Sequence, residues 1–108
     1  MNENKDFLKV VGDFLIRFYH EEPNVTKAST KAIKAMTGLF DYELEVSNAF
    51  KQTLESSLNK NTLRDLVRLK ANRYAQTDED AREFLNFVYK DNDLDKVVDF
   101  KELRDEIE

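Results

Sequence analysis

The sequence KDNDLDKVVDFKEL, near the C-terminal end of the chain, carries acidic side chains at closely spaced positions. They are Asp91, Asp93, Asp95, Asp99 and Glu102. Carboxylate and carbonyl oxygens are the ligands that calcium takes in proteins, and several of them must surround one ion. The chemistry that this spacing predicts is therefore the binding of a divalent cation.

The segment from Asp91 to Leu103 resembles the calcium-binding loop of the EF-hand family, whose pattern is D-x-[DN]-x-[DN]-G-x5-E. The resemblance implies ligation by five carboxylates and by the backbone carbonyl of Val97; the full set is Asp91, Asp93, Asp95, Val97, Asp99 and Glu102. Val98 is apolar, as expected at the eighth position of such a loop. On this interpretation the protein binds Ca²⁺.

A simple helix junction explains the same segment without a metal. Asp99 and Glu102 have the spacing of a capping box, which satisfies free backbone N–H groups at the start of a helix. Lys96 stands where the EF-hand pattern has glycine, and no second loop of this kind precedes it. On this interpretation no cofactor is expected. Both interpretations predict a short helix that begins near Asp99.

Apolar residues recur at helical spacing over about residues 6–20 and 26–37, and again in stretches that begin near residues 41, 62 and 77. No alternation typical of a β-strand persists, so the predicted fold is all-α. We expect one domain over residues 1–108, a compact bundle of five helices plus a short C-terminal helix. The predicted core residues lie at the centres of the apolar stripes and are Phe14, Phe18, Phe50, Leu54, Leu66, Val67, Phe84 and Val88.

Several residue types mark the expected helix ends. Gly38 stands where a left-handed residue closes the second helix, and Asp41 is the predicted N-cap of the third. Threonine followed three residues later by aspartate predicts capping boxes at 62–65 and 77–80. Tyr74 is expected to face inward from the fourth helix.

Catalytic signatures are missing from the sequence. His20 is its only histidine, the chain has no cysteine, and no nucleophile or metalloprotease motif occurs. We therefore predict a protein that is not an enzyme. A signal peptide has a basic stretch, then an apolar stretch, then small residues, and the sequence does not show this order. We therefore predict a cytoplasmic protein.

Charge is distributed unevenly along the chain. Residues 1–75 carry 12 basic against 10 acidic side chains, whereas residues 76–108 carry 5 against 12. A basic stripe on the fourth helix precedes this acidic third, and its predicted partner-binding residues are Lys60, Arg64, Arg68 and Arg73. We predict that the protein acts by binding a protein partner, as a regulator, inhibitor or immunity-type module. A weak calcium-binding module and a nucleic-acid binder that uses the fourth helix are the alternatives, and homo-oligomers also fit the pattern.

Overall fold

Helices dominate the computed structural model, which describes residues 6–56, 58 and 61–97. The five α-helices are α1 (Asp6–Phe18), α2 (Val25–Met36), α3 (Phe40–Glu55), α4 (Thr62–Lys70) and α5 (Asp78–Asp91). A 3-10 turn at Leu94–Lys96 follows α5, and no β-strand occurs in the described ranges. The predicted all-α bundle is confirmed. The short helix expected near Asp99 lies outside the described residues.

The core forms chiefly where α1 packs against α3 and where α4 packs against α5. The rings of Phe14 and Phe50 meet edge to face, with centroids 5.5 Å apart, an arrangement that aromatic quadrupoles favour. Five of the predicted core residues are buried: Phe14, Phe18, Phe50, Val67 and Val88. The other three are half-buried and pack against this core: Leu54, Leu66 and Phe84. Across the described ranges, no helix has the length and apolar character needed to cross a membrane.

Two of the predicted helix ends are confirmed. Gly38 has a φ of +84°, the left-handed conformation that glycine adopts without a steric penalty, just after α2. Thr77 is the N-cap of α5, where its hydroxyl accepts a hydrogen bond of 3.1 Å from the backbone N–H of Asp80. Both patterns act locally: Gly38 lets the chain leave α2, and Thr77 satisfies a free backbone N–H at the start of α5.

Two other predicted caps are wrong. The third helix begins at Phe40, with Leu39 at the N-cap position, so Asp41 already lies inside the helix. The fourth helix has Asn61 at its N-cap position, without a side-chain hydrogen bond to the helix. A residue distant in sequence supplies the bond instead, because the backbone N–H of Arg64 donates to Asp78 Oδ1 at 2.9 Å.

Candidate interaction surface

The fourth helix is held between α1 and α5 by its apolar side. Leu63 and Val67, four residues apart, are buried, as two residues on one helical face should be. Their burial leaves the opposite face of this short helix exposed to solvent. The exposed side chains include those of Asp65, Arg68 and Leu69.

Arg73 joins the segment after α4 to the end of α1. Its guanidinium donates to the carbonyl oxygens of Tyr19 at 2.9 Å, Ala71 at 3.0 Å and Glu22 at 2.5 Å. Arginine suits this role because its planar group presents several donors in a fixed geometry. The carbonyls of Tyr19 and Glu22 follow the last residue of α1, where backbone acceptors lack helical partners. Arg73 thus fixes the position of the chain between α4 and α5.

Arg68 is exposed but held in place by two contacts. Its Nε donates to the carbonyl oxygen of Ala75 at 2.7 Å. Its guanidinium carbon lies 5.2 Å from the centroid of the Tyr74 ring, a distance typical of a cation–π contact. The two contacts position Tyr74 beside the exposed face of α4.

Leu69 and Tyr74 are the most exposed large hydrophobic residues in the described part of the chain, at 70% and 82% of their surface. We refer to Arg68, Leu69 and Tyr74 together as the α4 patch. The prediction that Tyr74 faces inward is wrong, because α4 ends at Lys70. Asn72 adopts a left-handed φ of 54° just beyond that end. Asparagine tolerates this conformation better than most residues. Asn72 is therefore the feature of the sequence that indicates a helix end before Tyr74.

The structure separates the predicted partner-binding residues by their contacts. Arg68 belongs to the α4 patch, whereas the donors of Arg73 are engaged with backbone carbonyls. Arg64 pairs with its neighbour Asp65 at 3.2 Å, and 28% of its side chain is exposed. Lys60 lies outside the described residues. Partner binding through these four residues stays a prediction.

The predicted metal ligands are only partly described. Asp91 is the last residue of α5, and Asp93 has a left-handed φ of 56° just before the 3-10 turn that contains Asp95. Lys96 Nζ lies 3.4 Å from Asp93 Oδ1. Val97 is extended and half-buried, whereas Asp99 and Glu102 lie outside the described residues.

Within the described ranges, no group of three or more histidine, aspartate or glutamate side chains is arranged to hold a metal. Because two of the six predicted ligands fall outside those ranges, calcium binding stays a prediction.

Polar contacts anchor the described part of this segment to the bundle. Asn92 is buried, and its Nδ2 donates to the hydroxyl of Tyr19 at 2.8 Å and to the carbonyl of Val88 at 2.9 Å. The Tyr19 hydroxyl also lies 2.5 Å from Ser29 Oγ. Burial raises the pKa of Tyr19, and these hydrogen bonds only partly offset it.

Leu94 is fully buried and its carbonyl accepts a bond of 2.6 Å from Ser47 Oγ. Its burial explains why an apolar residue stands among these carboxylates.

Comparison with protein-family models, curated proteins and solved structures finds no match for this chain. Its function must therefore be inferred from its own residues.

Proposed function

We propose that this protein is a non-enzymatic binding module, of the regulator, inhibitor or immunity type, that contacts a protein partner through the α4 patch. The observation that carries this proposal is the 82% exposure of Tyr74 beside Arg68 and Leu69. Tyrosine and arginine are among the residues that contribute most to protein–protein binding when they become buried. Leu69 adds apolar surface that a partner would remove from water.

Positioning of the patch before binding supports the same proposal. A long arginine side chain loses conformational entropy when a partner immobilises it, which reduces affinity. In this structure Arg68 is already held by the Ala75 carbonyl and by the Tyr74 ring. Part of that entropy cost is therefore met on folding, and more of the contact energy remains available for binding.

Local charge favours a partner with acidic side chains. Residues 61–75 carry four basic side chains against one acidic side chain, although the whole chain has a net charge of −5. Complementary charge accelerates association and favours the correct orientation of the partner. Aromatic and arginine side chains also stack on nucleic-acid bases. A protein is the better candidate, because the net negative charge repels a polyanion and Arg73 has its donors engaged with backbone carbonyls.

A capture experiment with paired variants tests the proposal. The immobilised wild-type chain is incubated with extract of the native cell, with and without nuclease, and the retained proteins are quantified by mass spectrometry. The double variant Leu69→Ser, Tyr74→Ser should retain the partner at least tenfold less than the wild type. Leu39→Ser is the matched control, because Leu39 is also 52% exposed but lies between α2 and α3.

All baits must show the same helical circular dichroism and thermal midpoint before capture is compared. Equal retention by the wild type and the double variant would exclude the α4 patch as the contact surface. Loss of the captured proteins on nuclease treatment would identify nucleic acid as the ligand and would contradict the proposal.

A further inference from the structure

The outward face of α5 has a second exposed aromatic side chain. Phe87 is 51% exposed, although an amphipathic helix normally turns its aromatic residues toward the core. Glu83 precedes it by four residues and Asp91 follows it by four, so both carboxylates are its neighbours on the helix surface. Phe87 is therefore an apolar side chain between two acidic ones.

Concave surface continues along this face. A groove of about 370 Å³ is lined by Glu83, Asn86, Phe87, Lys90 and Asp91. A neighbouring groove of about 330 Å³ shares Glu83 and Asn86 and extends toward Glu79 and Leu54. We refer to these two grooves together as the α5 groove. Because the two grooves share Glu83 and Asn86, they adjoin each other on one side of α5.

The carboxylates of the α5 groove outnumber its basic side chains: Glu79, Glu83 and Asp91 line it, against Arg82 and Lys90. In the described part of the chain, neither Glu79 nor Glu83 nor Asp91 takes part in an ion pair. Glu79 and Glu83 are four residues apart on α5, a spacing at which like charges destabilise a helix. Arg82 lies between them in sequence, but its guanidinium donates to the carbonyls of Leu54 and Ser56 at the end of α3.

The geometry points to a basic amphipathic helix of a partner protein as the occupant of the α5 groove. Glu83 and Asp91 are eight residues apart, which corresponds to about 12 Å along a helix axis. A partner helix with basic residues four positions before and four positions after an apolar residue has the same spacing. Its apolar residue would pack on Phe87, and its basic residues would pair with Glu83 and Asp91. This inference uses a different surface from the α4 patch and does not depend on the proposed function.

Binding of a designed peptide tests this inference. The probe is a fluorescent, amidated 16-residue peptide on an alanine background, with a central leucine and arginines four positions to each side. A second peptide has the same composition in an order that places leucine and arginine on different faces. A third peptide replaces both arginines with glutamate. Fluorescence anisotropy at low and at physiological salt should show at least tenfold tighter binding of the first peptide than of the other two.

Variants of the full chain locate the site. Phe87→Ser should weaken binding of the first peptide at least tenfold, since it removes the apolar contact. The double variant Glu83→Gln, Asp91→Asn should weaken binding mainly at low salt. At physiological salt, dissolved ions already screen the attraction between the wild-type carboxylates and the peptide, so less remains to be lost. Leu39→Ser is the matched control and should bind like the wild type, since Leu39 is 52% exposed, close to the 51% of Phe87, and lies between α2 and α3. Each of these side chains is exposed, and unchanged thermal midpoints would confirm that the variants fold.

Three results would overturn the inference. One is equal affinity of the wild type for the first two peptides, which would mean that amphipathic order is not recognised. Another is unchanged binding by Phe87→Ser. The third is a wild-type oligomer, detected by analytical ultracentrifugation, that Phe87→Ser dissociates, because a second copy of the chain would then be the occupant.

Discussion

Replacement of Arg73 by alanine should destabilise the whole bundle, because this side chain connects the end of α1 to the segment before α5. The variant loses the bonds to Tyr19 and Glu22, which link distant parts of the chain, and the local bond to Ala71. A hydrogen bond from a charged donor contributes about 1.5–3 kcal/mol. Arg73 is half-buried, so we take the lower end of that range for the two distant bonds.

The expected loss is about 3 kcal/mol of the free energy of unfolding. For a domain of this size, that loss lowers the thermal midpoint by roughly 12–24 °C. Urea denaturation followed by circular dichroism at 222 nm measures the free energy, and a thermal scan measures the midpoint. Arg73→Lys should recover only part of the loss, because one ammonium group does not reproduce the planar fork of donors.

Arg68→Ala is the matched control for Arg73→Ala. It also removes a guanidinium, but this one donates a single hydrogen bond, to the Ala75 carbonyl, and otherwise contacts the exposed Tyr74 ring. With the same lower-end value for its one bond, the control should cost about 1.5 kcal/mol, half the loss expected for Arg73→Ala. The structural role of Arg73 would be refuted if the free energy of unfolding of Arg73→Ala lay within about 0.5 kcal/mol of the wild-type value. Such a result would mean that water replaces the three hydrogen bonds at no net cost.

Three further predictions concern the last described segment and the buried network. Leu94→Ala should cost about 2–5 kcal/mol in urea denaturation because Leu94 is fully buried, and a loss below about 1 kcal/mol would contradict its place in the core. Burial raises the pKa of Tyr19, so the folded state keeps its phenol protonated above about pH 10, where the unfolded chain ionises. The stability that the neutral Tyr19 phenol contributes below that pH should be lost as the pH rises through its pKa in the folded state. Tyr19→Phe should therefore lose less stability at alkaline pH, relative to its own stability at neutral pH. The EF-hand-like hypothesis predicts that millimolar calcium raises the thermal midpoint of the wild type but not of Glu102→Gln at matched ionic strength, whereas equal responses would identify a helix junction.

Local patterns in the sequence predicted the features of the fold that depend on neighbouring residues. The apolar spacing predicted the helices and most of the core, and Gly38 and Thr77 marked helix ends correctly. The start of α4 could not be predicted in this way, because Asp78 supplies its hydrogen bond from fourteen residues away. Sequence patterns specify caps reliably only when donor and acceptor are close in the chain.

The candidate surface was predicted only in part, for a similar reason. Basic residues on the fourth helix suggested a contact surface, but the sequence does not show how many backbone carbonyls each guanidinium contacts. Arg73 donates to three carbonyls, whereas Arg68 donates to one and remains exposed beside Tyr74. The exposure of Tyr74 depends on where α4 ends: the apolar spacing predicts a helix that includes Tyr74, whereas α4 ends at Lys70.

The most direct test of the α4 patch is site-specific photo-crosslinking in the native cell. A photoreactive phenylalanine analogue replaces Tyr74 in one variant and Leu39 in another, since both side chains are exposed on different parts of the bundle. The analogue at position 74 should give one discrete protein adduct, position 39 should not give it, and Arg68→Glu in the position-74 variant should reduce its yield at least tenfold. No discrete adduct at position 74, or the same adduct from both positions, would contradict the claim that this protein works by binding a partner through the α4 patch.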